Sequence, residues 1–323
     1  MRDEIKRISS GDCTIVTRVV GEGPLVILMH GWPELGMSWR YQILPLARAG
    51  FTVAVPDMRG FGASSKPAEV SAYRFDLAAD DMAAIADALG HHRWISVGHD
   101  AGSMVAWRTA LRFPDRVAAA FSFSVPYLGR AQLPLSATFD LSHPDRFYYM
   151  RYFQEVGPAE AELEKDVRNS LKRIYFSLSG DAPLFDWTRY RPIDDPLLPG
   201  LTAPLEGPLS FMPDDILDAY ASAYEKGGFF GPISWYRNFE ADFLDQQSYG
   251  DGIIRQPSGY LCGEKEILLD MFPGALDYQR SCLSDMRREV VLSGAGHWIQ
   301  QERPGQATGA LLDFLEEVRP IVG

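Results

Sequence analysis

The sequence predicts an α/β fold: a mostly parallel sheet with helices on both faces, opened in its middle by a helical insertion. Three observations predict it. Short, nearly continuous apolar runs at Pro24–Met29, Phe51–Val55 and Trp94–Val97 read as strands buried on both faces. Helical patterns at Met37–Arg48 and Leu77–Leu89 lie between them, and such alternation is what a parallel sheet covered on both sides requires. The alternation stops from about Gly129 to Gln247. It resumes with Ser258–Cys262, Glu289–Leu292 and a helix near Gly305–Val318.

Each part has its own pattern. Val117–Val125 extends the first series of strands. The interrupted stretch holds two long amphipathic segments, Ala159–Phe176 and Asp214–Glu225. Between them lies the proline-rich Asp181–Pro213, which reads as irregular connection. The expected division is residues 1–128 for the first part of the core, 129–247 for a helical lid and 248–323 for the second part. A chain of 323 residues accommodates one core and one insertion. No internal repeat or low-complexity tract is visible.

Composition narrows the class of partner. The formal net charge is −12 and no basic block occurs, so the surface repels phosphate backbones and nucleic acid is not expected. Cys13, Cys262 and Cys282 are scattered and odd in number. They lack metal-ligand spacing and suit a reducing compartment; no metal or other cofactor is expected. Met1 to Asp12 has no apolar segment of the kind a secretory signal needs, and no apolar run approaches the length of a bilayer span. The expectation is a cytoplasmic protein acting on a small molecule, with a homodimer left open.

The chemistry starts at Val97-Gly98-His99-Asp100-Ala101-Gly102, between the strand Trp94–Val97 and a helix at Ser103–Arg112. Small residues two positions either side of a central side chain are the pattern of a nucleophile elbow, a strained strand-to-helix turn. The central residue here is Asp100. A carboxylate attacking an ester carbonyl would make an anhydride, whereas displacement at an sp³ carbon makes a stable alkyl ester. That ester must then be hydrolysed, which calls for a base and an oxyanion hole.

His297, in Ser293-Gly294-Ala295-Gly296-His297-Trp298 after the last strand, is the candidate base. His91, His92 and His143 read as surface, His99 as structural support within the elbow, and His30 as the start of the oxyanion-hole loop. The orienting acid should follow the preceding strand, at Leu261-Cys262-Gly263-Glu264-Lys265-Glu266. Glu266 is the choice, with Glu264 and Asp270 as alternatives. The backbone N–H groups of Trp32 and Ala101 are the expected oxyanion-hole donors, with Pro33 fixing the loop through a cis bond. Asp57-Met58-Arg59-Gly60-Phe61-Gly62 reads as a structural turn with an internal ion pair.

Together these residues resemble the soluble epoxide hydrolases of the α/β-hydrolase fold, over roughly Val26 to Phe314. The matching motifs are His30-Gly31-Trp32-Pro33, Gly98-His99-Asp100 and Gly296-His297. In the insertion, Tyr149-Met150-Arg151-Tyr152-Phe153-Gln154-Glu155 and Gly231-Pro232-Ile233-Ser234-Trp235-Tyr236-Arg237-Asn238 look like the segments that carry the family's two lid tyrosines. The resemblance implies an eight-stranded, mostly parallel sheet with the lid inserted after strand 6. It implies hydrolysis of an apolar epoxide without cofactor, with Tyr149 and Tyr236 as donors to the epoxide oxygen. Neutral phenols can hold that oxygen without placing a cation beside Asp100. Trp32, Phe153, Trp235 and Trp298 are expected to line the pocket. Two departures stand out: Ala101 where the family has Trp, and Glu266 where it has Asp. A dehalogenase uses the same nucleophile and base, but Ala101 supplies neither an indole N–H for halide nor a guanidinium for a carboxylate. The absence of serine at the elbow disfavours an esterase, and the presence of every catalytic piece disfavours a mere ligand-binding module.

Overall fold

The computed structural model describes residues 2–142, 144–183, 186–204 and 206–322. Eight strands form one sheet: β1 (Asp3–Ser10), β2 (Cys13–Val20), β3 (Leu25–Met29), β4 (Thr52–Pro56), β5 (Trp94–His99), β6 (Val117–Phe123), β7 (Ser258–Gly263) and β8 (Met286–Leu292). Their order is β1-β2-β4-β3-β5-β6-β7-β8. β2 runs antiparallel to β1 and β4, and every other neighbouring pair is parallel. β3 to β7 are buried throughout, which is why their sequences are continuous apolar runs. Side chains still alternate between faces. Along β3, Leu25, Ile27 and Met29 join one apolar cluster, and Val26 and Leu28 the other.

Helices cover both faces. α1 (Arg40–Arg48), α2 (Phe75–Ala88) and α3 (Ala101–Arg112) belong to the first part of the chain. Between β6 and β7 come α4 (Leu135–Ser142), α5 (Tyr149–Tyr152), α6 (Pro158–Glu164), α7 (Val167–Ser177), α8 (Asp214–Gly227), α9 (Phe230–Ser234) and α10 (Phe239–Gln246). α11 (Ile267–Met271), α12 (Ala275–Cys282), α13 (Ile299–Glu302) and α14 (Pro304–Val318) complete the series. Leu46 of α1 and Leu311 and Phe314 of α14 share a cluster on one side of the sheet. On the other side, Met82 of α2 and Val105 of α3 share a cluster with Leu171 and Tyr220 of the insertion. No helix among the described residues is long and apolar enough to cross a membrane.

Three details differ from the sequence reading. The β1–β2 hairpin was not anticipated, because Asp3, Glu4, Lys6 and Arg7 obscure the alternation of an edge strand whose outer face is wet. The segment Met37–Arg48 divides into a 3-10 turn, Gly36–Trp39, and α1. The segment Ala159–Phe176 is two helices. α6 ends at Glu164, and Asp166 caps α7 by accepting the Asn169 N–H at 3.1 Å. His143 lies outside the described residues, as do parts of the Asp181–Pro213 connection.

Candidate active site

The parallel strands set the site, because their C-terminal ends release the loops on one edge of the sheet. Asp100 follows β5 and opens α3 with φ 52° and ψ −125°. A side chain holds this left-handed geometry only where its surroundings enforce it. They do so here by close backbone approach. A Cβ on Gly98 would stand 2.1 Å from the Gly102 carbonyl oxygen, and one on Gly102 would stand 2.2 Å from that of Met29. The turn therefore needs glycine at both positions, and it thrusts Asp100 above the sheet.

The loop after β3 meets it there. The Trp32 N–H donates to Asp100 Oδ1 at 2.7 Å, and the Ala101 N–H is a second backbone donor to the same carboxylate. The Trp32–Pro33 peptide is cis. His297, on the loop after β8, places Nε2 3.3 Å from Asp100 Oδ2. Its Nδ1 is 2.9 Å from Glu266 Oε2, and Glu266 Oε1 accepts the Leu268 N–H at 3.1 Å. Glu266 is 2 % exposed and His297 3 %. Of the other acid candidates, Glu264 is exposed and accepts from Ser293 Oγ and the Gly294 N–H, and Asp270 is exposed on α11.

The electrostatics are those of a coupled triad. Burial pushes the Asp100 carboxyl up, but the His297 ring, His99 and the Ala101 N–H outweigh it and hold the group below the ordinary carboxylate value. Burial pushes the His297 imidazole down, and the Glu266 and Asp100 carboxylates outweigh that, holding it well above its ordinary value. Across the cavity stand Tyr149 and Tyr236, ring centroids 5.9 Å apart. Their rings are wedged by aromatic neighbours: Tyr149 by Trp187 and Phe153, Tyr236 by Trp32 and Phe153. Neither hydroxyl bonds to another described residue. Burial, then the charge of Asp100, raises both phenols well above their ordinary value, so they stay protonated.

Comparison with known proteins gives the family. The α/β-hydrolase fold family matches residues 24–304. Epoxide hydrolase A of Mycobacterium tuberculosis is 39% identical over 306 residues, 92% of this chain and 93% of that protein. Epoxide hydrolase B of the same organism is 32% identical, covering 93% of each chain. The crystal structure of epoxide hydrolase A from Mycobacterium thermoresistibile superposes with a TM-score of 0.90 at 33% identity, covering 98% of both chains. An epoxide hydrolase from an endophytic Streptomyces gives a TM-score of 0.93 at 35% identity, covering 99% of this chain and 96% of that one. The chain belongs to the epoxide hydrolases of the α/β-hydrolase fold.

In this epoxide hydrolase Asp100, His297, Tyr149 and Tyr236 face a cavity of about 280 Å³ with a mainly apolar lining. Trp32 and Trp235 are in its wall. Phe153 and Trp298 are not: they stand one layer behind. Phe153 is fully buried against the rings of Trp32, Tyr149 and Tyr236. Trp298 turns its indole inward to donate to the Tyr175 carbonyl at 2.7 Å. The Asp57–Gly62 turn also needs correction. Arg59 pairs with Asp81 of α2 at 2.7 Å, while Asp57 accepts the N–H groups of Gly36 and Ala63. A buried guanidinium needs a buried carboxylate, and Asp57 is already taken by backbone donors.

Sequence reasoning read His99 as structural support but missed its partners beneath the site. His99 places Nε2 2.8 Å from the His297 carbonyl oxygen and Nδ1 2.7 Å from Glu34 Oε2. Glu34 also accepts from the Gly31 N–H, Gln300 and Gln301. Ser124 Oγ donates to the His297 carbonyl at 2.6 Å. Glu302 accepts three backbone N–H groups, those of Gly180, Gly296 and Trp298, and so shapes the His297 loop. A glutamate directly after Trp-Pro was the one visible sign of this network; its partners are too distant in the chain to be read from spacing.

Proposed function

We propose that this epoxide hydrolase converts an apolar epoxide and water to a vicinal diol through an ester on Asp100. The observation that carries the reading is the division of labour on that carboxylate. Oδ1 is held by the Trp32 N–H, which leaves Oδ2, beside His297, as the oxygen free to attack. Oδ2 displaces the ring oxygen from one epoxide carbon. The C–O bond of the ring breaks, and the released oxygen takes a proton from Tyr149 or Tyr236, whose hydroxyls have no competing described partner.

Ester formation then changes the site electrostatically. Free Asp100 and Glu266 both hold a proton on His297. Alkylation turns Asp100 into a neutral ester and removes one of the two carboxylates, so the imidazole gives up its proton, which restores by way of solvent the tyrosine that protonated the ring oxygen, and becomes a base. His297, oriented by Glu266, takes a proton from water, and the hydroxide attacks the ester carbonyl carbon. Oδ1 becomes the oxyanion, in place between the N–H groups of Trp32 and Ala101. Collapse of the tetrahedral intermediate expels the diol, which takes the proton back from His297. Residues 129–247 act as the lid, delivering both tyrosines over a core made of residues 1–128 and 248–323.

The test is intact-protein and peptide mass spectrometry after mixing with styrene oxide. His297→Gln accumulates one substrate adduct on the peptide containing Asp100, and turnover stalls. The double variant Tyr149→Phe, Tyr236→Phe shows no adduct within the same time. Sustained multiple turnover by His297→Gln would contradict the base assignment. Adduct formation at the native rate in the double variant would place the acid elsewhere.

A further inference from the structure

α3 and α10 both begin at the reacting groups and run away from them. α3 starts beside Asp100, and α10 starts three residues after Tyr236. The cavity lies along one face of each. Ala101, Met104 and Arg108 line it from α3, and Phe239, Asp242 and Gln246 from α10. Both sets keep the three- and four-residue spacing of a single helical face. The helices are joined where Arg108 Nη2 donates to the Asp242 carbonyl oxygen at 3.1 Å. At a helical rise of about 1.5 Å per residue, that junction is roughly 12 Å along α3 from Asp100. The near part of this channel is apolar, and its far end is not.

Asp242 is 5 % exposed. Its Oδ1 accepts the Phe75 N–H at 2.8 Å, and its Oδ2 is buried with no partner among the described residues. One turn on, Gln246 Oε1 accepts the Ala131 N–H at 3.4 Å, while its amide nitrogen donates to no described residue. Of the nearby guanidinium groups, Arg108 is paired with Asp76, Arg112 with Asp76 and Asp80, and Arg74 with Asp245, while Arg130 donates to the Gly250 carbonyl oxygen. A carboxylate arriving here would be desolvated beside the Asp242 carboxyl, where the adjoining Arg108 is already paired with Asp76. A methyl end would leave Oδ2 and the Gln246 amide unpaired. A hydroxyl donates and accepts, and answers both.

We propose that this channel is a subsite for a long apolar substituent of the epoxide that ends in an uncharged hydroxyl. The proposal rests on Asp100 opening epoxides, so the test includes a short epoxide that does not reach the far end. Diol formation is measured with styrene oxide and with three terminal epoxides whose chains are about 12 Å long, ending in methyl, hydroxyl or carboxylate. The expected kcat/KM for the hydroxyl compound exceeds that for the methyl compound about tenfold, and that for the carboxylate about a hundredfold. Gln246→Leu cuts the hydroxyl preference to about twofold or less and leaves styrene oxide turnover unchanged. Equal kcat/KM for hydroxyl and methyl ends, a preference for the carboxylate, or turnover of styrene oxide alone would overturn the proposal. No diol from any epoxide, styrene oxide included, would overturn the epoxide reading itself and the subsite with it.

Discussion

Asp242 shows how much one buried side chain can impose. Burial pushes its carboxyl up to about 7 from an ordinary 3.8, against the opposing pull of the Phe75 N–H and the Arg108 charge; Asp245 and Asp76 reinforce the rise. A folded-state value above the unfolded one means that the group's stabilising contribution is complete only below about 4. It is lost as pH rises through about 7. Asp242→Asn keeps the acceptor for Phe75 and removes the titration. The variant should therefore gain stability over the native protein as pH rises from 4 to 8, on the order of 4 kcal/mol across that window at most. Urea denaturation at several pH values measures this, and a difference independent of pH would show that Asp242 is ionised in the folded state. At Asp100 the balance tips the other way: burial also raises its carboxyl, but His297, His99 and the Ala101 N–H outweigh it and hold the group below the ordinary carboxylate value.

The elements position these groups by backbone contact more than by side-chain packing. Gly102 lies directly against the end of β3, so Gly102→Ala would drive a Cβ to 2.2 Å from the Met29 carbonyl oxygen and 2.7 Å from that of His30. The variant should lose about 1–3 kcal/mol of stability. It should also slow ring opening, because the displaced loop carries Trp32. Native stability with native activity would show that the turn has room that its geometry denies. This element was legible in the sequence, since two glycines around Asp100 have few other reasons to exist. Buried strands were legible for a related reason: a strand covered on both faces must be apolar at every position. The β1–β2 hairpin was not, because an exposed edge tolerates Lys6 and Arg7. Nor was the break in the 159–176 segment, where amphipathic spacing continues across Asp166 although the helix does not.

The molecule as a whole joins a candidate site from segments spread over nearly its full length. His30 to Trp32, Asp100, Tyr149, Tyr236, Glu266 and His297 come from six separate segments. Strand ends gather four of these, and the insertion between β6 and β7 supplies the two tyrosines. Motif spacing pointed to each residue because each stands at a strand end or in a distinctive aromatic run. Phe153 and Trp298 were misplaced because an aromatic beside a reactive residue in sequence points wherever local packing takes it. Trp298 turned away to satisfy its indole N–H on Tyr175. The network of His99, Glu34, Gln300 and Gln301 was illegible because its partners are joined only by the fold.

The decisive measurement is multiple turnover of styrene oxide in ¹⁸O-water, followed by mass spectrometry of the peptide containing Asp100. Water that attacks the ester carbonyl leaves its oxygen on the carboxylate, so label should accumulate in Asp100 as diol forms. Diol formed at the same rate with an unlabelled Asp100 would mean that water attacks the epoxide carbon directly, and that Asp100 is no nucleophile.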